Sequence, residues 1–196
     1  MAMRNPIRTV VVAAGCLAAF LVPAAAVSAQ TAPVGAALRP HLYWAKNGGT
    51  ITRASLKGTG VRRLVTHQDG PVGVAVGNGH LYWADYSGTI MAANLDGTGV
   101  TTLVTGQDGP VGVAVSSSQL YWADNGGGTI MESNLDGTGV TTLVSGQTGP
   151  VGLALKGRHI YWANLGGGTI VAASLAGTGV TTLVSGQPLP EGIAVG

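Results

Sequence analysis

Two pairs of aspartates are the residues of this sequence whose type and spacing could support chemistry. Asp85 and Asp124 each follow a Tyr-Trp-Ala triplet, whereas Asp69 and Asp108 each stand in a Gln-Asp-Gly-Pro segment. Carboxylates that converge at one cluster of loops could hold a calcium ion or a polar ligand. Non-acidic residues occupy the corresponding positions elsewhere in the chain, namely Lys46, Thr148, Asn164 and Leu189. We therefore expect the aspartates to cap turns and strand ends.

Three histidines share another recurring position, and a glutamine is the fourth member of the set. The set is His41, His80, Gln119 and His159. Neutral imidazoles are common zinc ligands, and equivalent positions of a ring-shaped fold surround its axis. Each member directly precedes a Leu-Tyr-Trp or Ile-Tyr-Trp segment, where a polar residue completes a turn. We accordingly predict a structural role for these residues, and we expect neither a metal site nor a cofactor.

Motifs of the common hydrolases and nucleotide-binding proteins are missing from the sequence. It contains no Gly-x-Ser-x-Gly, no phosphate-binding loop and no His-Glu-x-x-His. Every Asp recurs at an equivalent position, so no single one is marked out for acid–base catalysis. Only 9% of the residues are Asp, Glu, Lys or Arg, which leaves too few cations for a phosphate backbone. We predict a protein without enzymatic activity that does not bind nucleic acid.

Residues 1–29 have the three parts of a secretory signal peptide. Arg4 and Arg8 give a positive start, an apolar run follows over 10–27, and Val27-Ser28-Ala29 offers small residues for cleavage. Glycines and polar residues interrupt every later apolar run, so no membrane span is expected after the signal is removed. The sequence predicts a secreted or periplasmic protein that is cleaved near Ala29 and whose fold begins at residue 30.

The single cysteine, Cys16, lies inside this signal. Residues 13–16 weakly resemble a lipoprotein box, but apolar sequence continues well beyond Cys16, which favours a cleaved signal over a lipid anchor. Arg4 and Arg8 account for the net charge of +2, so the remaining chain is neutral. Its Lys and Arg residues are concentrated before residue 64, whereas residues 70–155 contain Asp and Glu but no Lys or Arg.

A unit of about 40 residues, present four times, positions all of these candidates. Tyr-Trp-Ala recurs at Tyr43, Tyr82, Tyr121 and Tyr161, and Gly-Thr-Gly-Val and Pro-Val-Gly recur with the same period. We place the units at about 33–69, 70–108, 109–148 and 149–187, followed by a partial unit at 188–196. Much of the glycine content, 33 of 196 residues, falls in the turns of this unit.

Each unit divides into four short strands separated by turn residues. In the second unit we predict strands over 72–76, 81–84, 89–95 and 100–104, separated by pairs such as Asn78-Gly79 and Asp96-Gly97. No segment has the apolar spacing of a helix. Four antiparallel strands per 40 residues are typical of a β-propeller blade. We predict an all-β propeller of four four-stranded blades with a partial fifth.

The aromatic residues of the recurring triplet are expected to form the core, because a blade is covered on both faces. These residues are Tyr43, Trp44, Tyr82, Trp83, Tyr121, Trp122, Tyr161 and Trp162.

The unit resembles the YWTD repeat, also called the low-density-lipoprotein-receptor class B repeat. The resemblance rests on Tyr82-Trp83-Ala84-Asp85, Ile90, Asn94-Leu95-Asp96-Gly97, Leu103-Val104 and residues 110–115, and it covers about 33–196. Two departures stand out. Ala replaces the family's Thr in every unit, and the chain has four units and a fragment where the family closes with six blades.

The low blade number leaves two interpretations open. Residues 190–195 could close a small ring by pairing with a terminal blade. Alternatively, the chain forms an open arc that is truncated or is completed by a second copy, which predicts self-association through the exposed blade faces.

The resemblance implies a binding or scaffold module that is exported and recognises an unknown protein or cell-surface polymer through loops on one face. The candidate loop residues are Asp69, Asp85, Tyr86, Asp108, Asp124, Asn125 and Glu132. Two alternatives stay open, a propeller-type lyase or hydrolase with a central site and a truncated family member without independent function.

Overall fold

The computed structural model describes residues 40–196, which form fifteen β-strands and no helix. No segment of this part of the chain is therefore a helix long and apolar enough to cross a membrane. The predicted signal peptide, Cys16 and the expected first strand of the first unit lie outside the described residues.

The strands are short and recur with the period of the sequence. They are β1 (His41–Lys46), β2 (Thr50–Ser55), β3 (Arg62–Val65), β4 (Pro71–Gly77), β5 (His80–Asp85), β6 (Thr89–Asn94), β7 (Thr101–Val104), β8 (Pro110–Val115), β9 (Gln119–Asp124), β10 (Thr129–Asn134), β11 (Thr141–Val144), β12 (Pro150–Lys156), β13 (His159–Asn164), β14 (Thr169–Ser174) and β15 (Thr181–Val184).

Consecutive antiparallel strands form four sheets, and each sheet lies within one predicted unit. We call them blades 1 to 4. Blade 1 contains β1–β3, and blades 2, 3 and 4 contain β4–β7, β8–β11 and β12–β15. The first strand expected for blade 1, at the start of the first unit, precedes the described region. The strands predicted in the second unit agree with β4–β7 to within one residue at every end.

Turn residues with positive φ allow the tight hairpins, and a β-bulge sets the register of the first strand of blades 2 to 4, which we call the inner strand. Asn78 and Gly79 both have positive φ, 51° and 81°, as a two-residue turn between antiparallel strands requires. In blade 3, Pro110 pairs with Asp124 but Val113 pairs with Trp122, so one extra residue is accommodated near Gly112. Blades 2 and 4 have the same irregularity at the same place.

The hydrophobic cores lie between blades. One core joins blades 1 and 2, a second joins blades 2 and 3, and a third joins blades 3 and 4. At each of these three contacts the earlier blade contributes its Tyr and the later blade its Trp, as Tyr82 and Trp122 do in the second core. This alternation follows from the period of two along a strand, and it explains why both faces are apolar.

The inner strands β4, β8 and β12 lie side by side at very close range. A Cβ placed on Gly73 or Gly112 would overlap the main-chain oxygen of Val111 or Val151 in the next blade. Any larger residue would push neighbouring blades apart, so these glycines set the distance between them.

The series of blades is open in the part of the chain that the structure describes. Neighbouring blades pack through β1 with β4, β4 with β8 and β8 with β12, and no comparable packing joins blade 4 to blade 1. Residues 190–195, expected as the lone first strand of a fifth unit, follow β15 without strand pairing. A strand needs a hydrogen-bonded neighbour, and the second strand of a fifth blade is not among the described residues.

Candidate functional site

Two kinds of loop meet at one end of the blades. The loops between blades, such as 66–70, accept main-chain hydrogen bonds from the loops that follow the second strand of the next blade. The N–H groups of Tyr86, Asn125 and Leu165 donate to Gly70, Gly109 and Gly149 at 2.9, 3.1 and 2.8 Å. The structure thus brings both loop types to one surface. We call it the loop face and define it by Asp69, Gly70, Tyr86, Asp108, Gly109 and Asn125.

Tyr86 is the exposed aromatic residue of the loop face. Its relative exposure is 36%, whereas Tyr82, four residues earlier in the sequence, is buried. A Cβ on Gly109 would lie 3.1 Å from Tyr86 Cε2, so the ring lies across the next inter-blade loop. The same position holds Asn125 in blade 3, whose side-chain amide donates to the main-chain oxygen of Pro150 at 3.2 Å. This position therefore links consecutive loops and holds its side chain in place.

Asp69 and Asp108 are both exposed and lie in the two inter-blade loops that Tyr86 spans. The structure therefore brings these two predicted residues to a surface that also holds an exposed aromatic ring. An aromatic ring with flanking carboxylates can contact an apolar group and a cationic or hydrogen-bond-donating group at the same time.

Asp85 and Asp124, which were also candidates for the binding surface, are buried at the strand ends that the sequence predicts them to cap. Their relative exposures are 4% and 7%, since each closes the buried second strand of its blade beneath an inter-blade loop. The main-chain N–H groups of Asp69 and Asp108 face them, and one carboxylate oxygen of each, Oδ1, has no hydrogen-bond partner. They support the loop face from below and are not available to a partner.

Burial controls the ionisation of these two carboxyl groups. Desolvation raises the pKa of Asp85 to about 6, and the nearby Asp69 carboxylate adds to the increase. Desolvation also raises the pKa of Asp124. In blade 4 the same position holds Asn164, whose amide donates to Gln147 Oε1 at 3.1 Å and to Thr169 Oγ1 at 3.2 Å. A neutral side chain at this position thus has partners for its N–H groups, while its buried Oδ1 has none.

A link that the sequence interpretation missed connects each blade with the preceding loop. The indole N–H groups of Trp83, Trp122 and Trp162 donate to the side-chain oxygens of Gln68, Gln107 and Gln147 at 3.1, 2.8 and 2.9 Å. The signal was present, because a Gln precedes each of these Trp residues by 15 positions. The link gives the buried indole a partner and ties the loop face to the core.

Glu132 is not a loop residue, contrary to expectation. It lies within β10, where its carboxylate accepts hydrogen bonds from Gln119 Nε2 and Thr141 Oγ1, both at 3.3 Å. Gln119 in turn accepts a hydrogen bond from the Tyr121 hydroxyl at 2.8 Å. Strand pairing places this group on the sheet itself, away from the loop face.

The recurring aromatic residues are buried in the middle of the series and less so at its ends. Tyr43, Tyr82 and Tyr121 have low exposure, as do Trp83, Trp122 and Trp162, whereas Trp44 and Tyr161 are half-buried. The histidines stand at turns. His80 Nδ1 lies 3.0 Å from the main-chain oxygen of Asn78. Among residues 40–196 no three His, Cys, Asp or Glu side chains come together as metal ligands would.

Comparisons with known proteins support the fold. No family model matches the sequence, and no curated protein matches it. Many solved chains do match. One, from the crystal structure of a nidogen/laminin complex, has a TM-score of 0.73 and 26% identity over 79% of this chain and 64% of that chain. Another, the computationally designed Ika8 protein, has a TM-score of 0.55 and 19% identity over 77% of this chain and 48% of that one.

These matches confirm the predicted β-propeller and the resemblance to YWTD propellers. The chain spans less than two thirds of either matched structure. The likeness to the designed protein concerns the fold alone.

Proposed function

We propose that this β-propeller of YWTD type is an exported, non-enzymatic binding module that recognises a protein or a cell-surface polymer through its loop face. The observation that carries the proposal is the exposed Tyr86 ring, which extends from Gly70 to Gly109, the residues that directly follow the exposed Asp69 and Asp108. Pre-ordered side chains bind with a smaller loss of conformational entropy than mobile ones. An aromatic residue in such a setting is typical of the centre of an interface.

The nidogen/laminin structure supports a binding role by analogy, since a propeller of the same repeat type is part of a complex between two proteins there. The identity of the partner does not transfer from that structure. The exposed carboxylates of Asp69 and Asp108 favour a partner that presents Lys, Arg or hydroxyl groups next to an apolar surface.

A non-enzymatic role agrees with the chemistry of the carboxyl groups. Asp85 and Asp124, whose pKa values are raised as those of general acids often are, are covered by the inter-blade loops and have no access to a substrate. Their environment is explained by their place at a strand end.

The test is capture of a partner from cell-surface extracts and a glycan array by the immobilised protein. The captured molecule is then purified and titrated against the wild type and Tyr86→Ala. We expect Tyr86→Ala to weaken binding by about tenfold or more, which is typical of an interface anchor.

Ser117→Ala is the matched control, because Ser117 is exposed in the turn before β9, at the other end of the blade. Equal affinity of Tyr86→Ala and the wild type would contradict the assignment of the loop face. Turnover of an array compound by the purified protein would contradict the non-enzymatic role.

A further inference from the structure

The aromatic residues at the two ends of the blade series lack the cover that their counterparts have. Tyr43, Tyr82 and Tyr121 of the triplets face the following blade, and Trp83, Trp122 and Trp162 face the preceding one. Tyr161 of blade 4 and Trp44 of blade 1 therefore face positions where no further blade lies among residues 40–196. Both are half-buried, whereas Tyr121 and Trp122 in the middle of the series are fully buried.

The outer strand of blade 4 is uncovered in the same way. Val144 at the end of β11 is 7% exposed, and Val65 and Val104 are similarly buried, but Val184 at the end of β15 is 43% exposed. The neighbouring Leu183 is 53% exposed. Blades 1 to 3 have this strand covered by the next blade, and blade 4 does not.

The covering contact involves one glycine of each following blade. Gly97, Gly137 and Gly177 lie so close to the main-chain oxygens of Leu64, Leu103 and Leu143 that a Cβ would not fit. The corresponding glycine of blade 1, Gly58, also has a positive φ, 74°, but a Cβ placed on it would meet no atom within 4 Å. Blade 1 thus has a glycine shaped for a contact that it does not make, and Leu183 of blade 4 has the matching open position.

The Trp–Gln link is incomplete at the same two places. Gln187 stands where Gln68, Gln107 and Gln147 accept the indole N–H of the next blade, yet within the described chain no donor reaches its Oε1. Trp44 stands where the other three Trp residues donate, and its Nε1 has no acceptor among residues 40–196.

The segment 190–196 corresponds in sequence to the inner strand of a fifth blade, and its last residue lies beside the end of β12. Lys156 Nζ donates to the main-chain oxygen of Gly196. In blade 2 the residue one position further along, Asn78, donates to the main-chain oxygen of Ser116, which is the counterpart of Gly196 two units earlier. Ile193 and Val195 are half-buried and Ala194 between them is exposed. Partly buried and exposed side chains therefore alternate along 193–195, as they do in a strand that is covered on one side.

Blade 1 is the sheet that lacks such a strand in the described region, since its β1 pairs with β2 alone. Ile193 suits the inner-strand position next to β1, because its counterparts Val74, Val113 and Leu153 are buried in blades 2 to 4. In the first unit the same position of the sequence is Ala36, which would bury far less apolar surface.

We propose that blade 1 of a second copy docks on blade 4, and that residues 190–196 pair with β1 of that copy as its inner strand. In this arrangement Trp44 of the second copy donates to Gln187, Gly58 of the second copy covers Leu183, and Val195 lies opposite Leu42 of the second copy. Addition of a strand to an open sheet edge supplies main-chain hydrogen bonds, and the apolar faces supply the burial. Because the two surfaces differ, the contact joins copies head to tail.

The first test is the mass in solution, measured by light scattering on the full chain carrying Cys16→Ser over a wide concentration range. We expect species larger than a monomer for the parent and a loss of association of about tenfold or more for Leu183→Asp. Thr181→Asp is the matched control, since Thr181 lies on the same strand and its counterparts are exposed in blades 2 and 3. A parent that is a monomer at every concentration, or equal masses for the two variants, would overturn the proposal.

The second test fixes the register with a disulfide between Leu42→Cys and Val195→Cys. The corresponding residues are direct cross-strand partners in three blades, as Val76 and Leu81 are in blade 2. Mixing the two single variants should give a covalent dimer on a non-reducing gel, whereas Val195→Cys mixed with Thr101→Cys should not. A double variant that forms the bond within one chain would show that the segment closes its own ring, which would also overturn the proposal.

These tests are separate from that of the binding role. Tyr86 lies on the loop face, so Tyr86→Ala should leave the mass in solution unchanged, and Leu183→Asp should leave partner capture intact.

Discussion

At the scale of single residues, the buried carboxyl groups of blades 2 and 3 couple folding to pH. The pKa of Asp85 is raised to about 6 in the folded chain, chiefly by desolvation, against about 3.9 in an unfolded chain. Between about pH 4 and pH 6 the folded chain therefore binds more protons than the unfolded chain, so its stability falls as the pH rises through this range. Asn164 shows that a neutral side chain fits the same position in blade 4.

We predict that Asp85→Asn increases the free energy of unfolding at pH 7 by about 1 to 2 kcal/mol and has little effect at pH 4. Urea titrations at several pH values measure this difference. Asp136→Asn is the control, because donation from the Thr138 hydroxyl and N–H lowers the pKa of that exposed carboxyl group. A gain from Asp85→Asn that does not vary with pH would show that the carboxylate is not the cause.

At the scale of the secondary-structure elements, the turn after the third strand is built in two interchangeable ways. In blade 2, Asp96 accepts the N–H of Thr98 at 2.9 Å and its hydroxyl at 2.6 Å. In blade 4, Ala176 replaces the Asp, and Ser174 accepts the N–H of Thr178 at 3.2 Å instead. Blade 1 uses Ser55 and Thr59 in the same manner. The turn needs one side-chain acceptor for this N–H, from either position.

Because either position can supply the acceptor, a second substitution should restore the stability that is lost when the first acceptor is removed. Asp96→Ala should lower the urea midpoint, because the Thr98 N–H loses its acceptor, and the double variant Asp96→Ala/Asn94→Ser should recover most of the loss. Asn94→Ser alone should have a smaller effect than Asp96→Ala, since Asp96 still caps the turn. Equal midpoints for Asp96→Ala and the double variant would refute the exchange.

At the scale of the whole molecule, equivalent residues contribute differently to stability in different blades, because it is the neighbouring blade that buries them. Val144 is buried between blades 3 and 4, whereas its counterpart Val184 is largely exposed. We predict that Val144→Ala lowers the free energy of unfolding by about 2 kcal/mol, and that Val184→Ala changes it by less than about 0.5 kcal/mol.

Both valine variants are to be measured by chemical denaturation in the Leu183→Asp background, which removes association through blade 4. Comparable losses for the two variants would mean that Val184 is covered within one chain, which conflicts with an open series of blades.

The sequence alone determined the strands, the turns and the blade period, because these depend on local glycine and Asx conformations and on the repetition of one unit. The repetition also placed Asp69, Tyr86 and Asp108 in loops. The local sequence pattern did not distinguish these exposed residues from Asp85, Asp124 and Glu132, because the exposure of a side chain depends on which residues of the structure pack against it.

Only the tertiary structure decided that Asp85 and Asp124 are buried and that Glu132 belongs to a sheet. It also decided that Gln68, Gln107 and Gln147 hold the indoles of the next blade. The physical reason is common to all of these findings. Each unit is nearly the same sequence, but a residue is covered or exposed according to whether another blade lies against it, and that is a property of the assembled blades rather than of any one unit.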